Sequence, residues 1–193
     1  MRESFLISLV VIIIYIYMFF SKKKIVYVRS NFDNQSYLVR DGEGKKEAAN
    51  LLAKLINNKY KLIDHVSTLK NSNREFRDYI MQLENNVNRS KSRIYESTGD
   101  DGFTSYTVNK GEEIVFCLRS KNTKNFHPIN LLMYVAIHEL AHCGCPEEGH
   151  TPLFQKIFRF LTEESIKIKV YNKTDYNLHP VEYCGMTLST SII

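Results

Sequence analysis

The sequence predicts an α+β domain behind an N-terminal transmembrane helix, on three observations. Residues 5–20 carry no charge; two helical stretches then precede two β-prone segments; and two further helical stretches close the pattern. Helices, then strands, then helices argue for an α+β domain rather than alternating βαβ units. The 193 residues, 44% hydrophobic and 12% aromatic, suffice for one ordinary core and exclude wholesale disorder. A mean hydropathy of -0.28 excludes a multi-span membrane protein, and four cysteines are too sparse for a disulfide scaffold.

The apolar stretch 5–20 (FLISLVVIIIYIYMFF) is followed at once by Lys22, Lys23 and Lys24. Bulky residues and a triple lysine fit an uncleaved anchor over 1–24 better than a cleaved signal peptide. The lysines outweigh Arg2, which Glu3 offsets in part, so the positive-inside rule places the remainder on the cytosolic side. Residues 25–44, with a β-prone run at 25–28 and a break at Asp41-Gly-Glu-Gly44, are expected as a linker. From 45 to 193 a single folded domain is expected, a helical hairpin over 45–100 followed by a second half over 101–193. In the hairpin, Ala49, Leu52, Leu55, Ile56, Leu62 and Ile63 mark a first helix, and Phe76, Ile80 and Leu83 mark a second.

In the second half, β-like segments at 105–108 and 113–118 flank an Asn109-Lys-Gly111 turn. The segment 113–118 is expected as an edge strand on which an extended peptide could pair. A helix from Ile129 to about Cys143 is expected to stop at Gly144, and another from Pro152 to about Glu164 starts behind Thr151 as N-cap. A strand is expected over 166–170, with an irregular tail after Tyr171.

The helix from Ile129 carries His138-Glu139-Leu140-Ala141-His142. Side chains at i and i+4 point about 40° apart around a helix, so both imidazoles can share one metal ion. Glu139 stands beside that ion without binding it, placed to take a proton from water that the metal acidifies. Three of four positions in a catalytic zinc site come from protein. A third ligand at 148 would need His there and Gly at 145, but the chain has Glu148 and Cys145. Glu163 or Glu164 on the following helix is a second option, although both sit at a polar helix end. His150, flanked by Gly149 just before a helix start, is the favoured third ligand, with Zn2+ as the metal.

HELAH, a short loop and then EGHTPLF resemble the WLM and SprT-like zinc metallopeptidases, in the form found in large DNA viruses. The segment 104–119 is similar to the strand pair before the zinc helix of WLM proteins, and HPVEYCGM (179–186) to a C-terminal segment of the viral forms. The resemblance covers about 45–186. It implies a zincin-like metallopeptidase fold, one Zn2+ on His138, His142 and His150, and Glu139 as general base. Well-known members cleave proteins crosslinked to DNA and carry DNA-, ubiquitin- or SUMO-binding tails. This chain instead has the apolar N-terminus and no recognisable module after the protease segment.

The expected function is therefore a membrane-anchored zinc endopeptidase with a protein or peptide substrate. Alternatives are a DNA-stimulated protease on DNA-bound proteins and a catalytically silent zinc-binding adaptor; an intact Glu139 argues against the last. Nucleic acid is not the favoured partner. Residues 21–100 hold 16 basic and 10 acidic residues, whereas 101–193 hold 9 and 10, so the positive excess lies outside the zinc half. Cys117, Cys143, Cys145 and Cys184 are expected as reduced, structural thiols, with a redox switch at Cys145 or Cys184 as the competing reading. Tyr171, Tyr176, His179 and Tyr183 are candidate transition-state stabilisers, unranked. His65 and His127 are expected to be structural, and Met186 to pack.

Overall fold

The computed structural model describes residue 12, residues 25–99, residue 102 and residues 104–193. Among the described residues seven strands and four helices follow one another: β1 (Ile25–Arg29), β2 (Ser36–Arg40), α1 (Lys45–Leu69), α2 (Arg77–Asn86), β3 (Arg93–Glu96), β4 (Tyr106–Val108), β5 (Glu113–Phe116), α3 (Ile129–Gly144), α4 (Pro152–Lys167), β6 (Val181–Tyr183) and β7 (Met186–Leu188). β1 to β5 form one mixed sheet in the order β1-β2-β3-β5-β4. β3 runs parallel to both β2 and β5, and the remaining pairs are antiparallel. β6 and β7 form a separate hairpin.

α3 is the centre of the core. Leu131, Leu132, Met133, Ala136, Ile137, Leu140 and Ala141 are all buried, because a helix that is apolar on nearly every face has to be enclosed. α1 lies between the sheet and the other helices and buries Ala48, Ala49, Leu52, Leu55, Leu62 and Val66. Gly144 ends α3 where α2 crosses it: an added Cβ would stand 3.3 Å from the Tyr79 carbonyl oxygen, so a small residue is needed there. α4 starts as its sequence requires, with the Thr151 hydroxyl accepting the Phe154 N–H at 3.2 Å and Pro152 in the first turn.

Several expectations are corrected. Residues 1–24, apart from Ile12, lie outside the described residues. Among the described residues no helix is long and apolar enough to cross a membrane. The transmembrane helix at 5–20 and the single-pass membrane localisation built on it are therefore withdrawn. Residues 25–40 are not a linker but the β1–β2 hairpin, whose alternating Val and Tyr residues suit a pleated surface. β3 fell in a polar stretch and escaped the pattern. Residues 166–170 are not a strand, since α4 runs on to Lys167 and ends in a turn. The tail holds the β6–β7 hairpin, turned by Cys184 (φ 52) and Gly185 (φ 89).

A buried ion pair ties the sheet together. Glu96, fully buried at the end of β3, accepts Arg119 Nε at 2.9 Å and the Arg40 backbone N–H at 2.7 Å. Removing the carboxylate strands the Arg119 guanidinium, which otherwise reaches the Glu43 carbonyl and the Phe126 ring. Glu96→Ala is expected to cost about 3–5 kcal/mol, read as a fall of roughly 10 °C in the thermal midpoint; an unchanged midpoint would show the pair to be dispensable.

Candidate metal centre and active-site cleft

Three ring nitrogens meet at one point. His138 and His142 project from successive turns of α3, with their Nε2 atoms 3.2 Å apart. His150 comes back over the loop after α3, helped by Gly149 (φ 78), and its Nε2 lies 3.1 Å from that of His138 and 3.2 Å from that of His142. Phe154 of α4 supports all three, stacked on His142 at 4.2 Å between centroids and packed against His138 and His150 at 5.0 and 4.9 Å. Burial, then the neighbouring histidines, push His138 down to about 3, and burial followed by His150 pushes His142 down to about 4. Both rings are neutral near pH 7, with lone pairs free to ligate.

The donor set fits zinc. Three nitrogens at ~2.0–2.1 Å from a tetrahedral ion are ~3.3 Å apart, close to the observed 3.1–3.2 Å. As a hydrogen-bonded set the triangle is poor, because each contact needs one donor and one acceptor from single atoms.

Glu139 sits one residue past His138 on the same helix, 5% exposed. Burial pushes its carboxyl up to about 7, and a hydrogen bond donated by the Thr107 hydroxyl at 2.8 Å works in the opposite direction. The histidines and Glu139 line a cleft of about 680 Å³, whose walls include Tyr106 and Thr107 of β4, Tyr134 of α3, and Tyr183 and Met186 of the β6–β7 hairpin. β4, not β5, is the sheet edge beside this cleft: β5 lies between β3 and β4, which corrects the expected edge at 113–118.

His138, Glu139, His142 and His150 are thus brought together. Glu163 and Glu164 are not: Glu163 is exposed, and Glu164 bonds His65 at 2.8 Å and Lys167 at 2.5 Å. Of the four candidate stabilisers, Tyr183 lines the cleft. Tyr171 and Tyr176 are buried against Tyr134, and His179 is exposed. Two useful residues were missed in the sequence. Thr107 holds the carboxyl of Glu139, and Lys110 Nζ clamps the His150 loop by bonding the Cys145 and Glu147 carbonyls at 3.1 and 2.9 Å. Nothing marked them, since a Thr in a strand and a Lys in a turn are ordinary residues there. The cysteine expectation also needs correction: Cys117 and Cys184 form a disulfide, while Cys143 and Cys145 are free and buried. A separation of 67 residues left that pairing invisible in the sequence.

A family model, the WLM domain, matches residues 102–185. An uncharacterized protein of Acanthamoeba polyphaga mimivirus is 42% identical over 191 residues, covering 97% of this chain and 95% of that protein. The chain belongs to the WLM family. An uncharacterized protein of Invertebrate iridescent virus 6 is 37% identical over 76 residues, 38% of this chain and 42% of that protein. The crystal structure of Wss1 from Saccharomyces cerevisiae superposes with a TM-score of 0.46 at 19% identity, covering 68% of this chain and 87% of that one. The WLM match spans β4, the HExxH helix α3, His150 and the β6 strand with Tyr183, so every wall of the cleft named above except Met186 falls within it.

Proposed function

We propose that this WLM chain is a zinc-dependent endopeptidase, with His138, His142 and His150 as the metal ligands and Glu139 as the general base. The observation that carries the reading is the convergence of three imidazole nitrogens within 3.1–3.2 Å beside a buried carboxylate in an open cleft. A zinc ion bound there supplies Lewis acidity, polarising a substrate carbonyl and bringing the pKa of bound water to around 7. Glu139 takes the proton from the attacking water and returns it to the departing amine nitrogen. Thr107 fixes the rotamer of Glu139 and leaves its other carboxylate oxygen free for that transfer. Tyr183 offers a hydroxyl on the cleft wall for the developing oxyanion, at the cost of its bond to Ser105 at 2.5 Å.

The substrate is an extended polypeptide. Among the described residues β4 is the outermost strand of the sheet on the side of the cleft, and addition of a substrate strand there relies on main-chain hydrogen bonds, so sequence specificity is weak. The test is cleavage of an unfolded protein by the zinc-loaded chain. Cleavage is expected to stop when a chelator removes the metal and to return on adding zinc. Cleavage that is indifferent to the chelator would overturn the reading.

A further inference from the structure

A second set of metal-type donors lies outside the cleft. Cys117 Sγ, His127 and Cys184 Sγ offer atoms within 4.8 Å of one another, and all three residues are buried. They come from three separate places: the residue after β5, the residue before Pro128 at the mouth of α3, and the turn of the β6–β7 hairpin. The two cysteines are joined as a disulfide, with Cα atoms 6.3 Å apart. That bond makes no use of His127. Its Nε2 accepts the Cys184 backbone N–H at 3.3 Å and stands 3.5 Å from Cys184 Sγ.

The last of these distances matches the spacing of two donors on one metal. A tetrahedral zinc with sulfur at ~2.3 Å and nitrogen at ~2.0–2.1 Å holds the two donors ~3.6 Å apart. Burial keeps the His127 ring neutral, and its Nε2 lone pair, which accepts the Cys184 N–H while the disulfide is intact, is the one that would turn to a metal.

We infer that the Cys117–Cys184 pair, once reduced, forms with His127 a second metal site, a Cys2His set selective for a thiophilic divalent ion such as zinc. A thiol reductant delivers two electrons and two protons to the S–S bond, giving two thiols and the reductant's own disulfide. Metal binding then displaces both thiol protons. Disulfide and metal are alternative crosslinks at one point. Either ties the β6–β7 hairpin to the end of β5, and the metal would bind the entrance of α3 as well through His127, whose ring lies 5.0 Å from that of Tyr183. The site is independent of the peptidase reading.

Cobalt(II) tests it on the full chain. The oxidised protein is expected to bind one cobalt, at the three cleft histidines, without a sulfur-to-cobalt charge-transfer band. After reduction it is expected to bind two and to show the band. Reduced Cys117→Ser and Cys184→Ser should return to one cobalt without the band, and the double variant Cys143→Ser with Cys145→Ser should keep both. Reduced His142→Ala should keep the band with a single cobalt, which separates a failure at the cleft from a failure here. A reduced wild-type chain that takes up one cobalt and shows no band would overturn the inference, and so would a band that disappears with Cys143 and Cys145. Because oxidised and reduced wild type are compared directly, the result does not depend on any variant folding.

Discussion

Glutamine in place of Glu139 is expected to slow peptide hydrolysis by roughly 10²–10⁴-fold, the contribution of a positioned general base, while zinc content stays the same. The change is nearly isosteric, and the amide oxygen can still accept the Thr107 hydroxyl that now bonds the carboxylate at 2.8 Å. What is lost is the ability to hold a proton between attack on the carbonyl and departure of the amine. Stability should not fall. The native carboxyl is buried with one neutral donor, and its burial pushes the pKa up, so a neutral group there relieves a desolvation cost. Steady-state cleavage of an unfolded protein, metal analysis and thermal unfolding on the same samples check all three points. A Glu139→Gln protein as active as wild type would remove the carboxylate from the mechanism.

Loss of a ligand has a different signature. His142→Ala in the disulfide-oxidised chain is expected to lower bound zinc from one ion to none and to reduce cleavage to background. Zinc should also cease to protect the fold: a ligand at a thousand times its Kd stabilises the native state by about 4 kcal/mol, and the variant should show none of that. His142 suits this test because it is only half buried and packs on Phe154 by one face, so the apo fold should survive its removal. Equilibrium dialysis with zinc, and thermal midpoints with and without the metal, are the readouts. A variant that retains one tightly held zinc would move the ion elsewhere.

The residues of the candidate site were more legible than the frame that holds them. His138, Glu139 and His142 declare themselves because helix geometry fixes their relation within five residues, and His150 is separated from them by a short loop. α3 was readable for a similar reason: a run that is apolar on nearly every face and ends at Gly144, with Cys145 as its C-cap, has few other fates. The sheet was less legible. β3 presents Arg93 and Glu96 in a polar neighbourhood, yet it is a central strand, because Glu96 is paired with the Arg119 guanidinium and accepts the Arg40 backbone N–H from elsewhere in the chain. The edge was misassigned for the same reason, since strand order depends on pairings across long separations that periodicity does not encode. Thr107, Lys110 and the Cys117–Cys184 link are also products of tertiary structure. The apolar stretch at 5–20 shows the opposite error, in which a strong local pattern suggested a membrane span without support among the described residues.

X-ray absorption at the zinc edge of the oxidised chain, loaded with one equivalent of zinc, tests the assignment of the metal to the three histidines most directly. The expected spectrum has three imidazole nitrogens at ~2.0–2.1 Å and one further oxygen, from His138, His142 and His150 with solvent in the open position. A sulfur scatterer at ~2.3 Å, or fewer than three imidazoles, would contradict it.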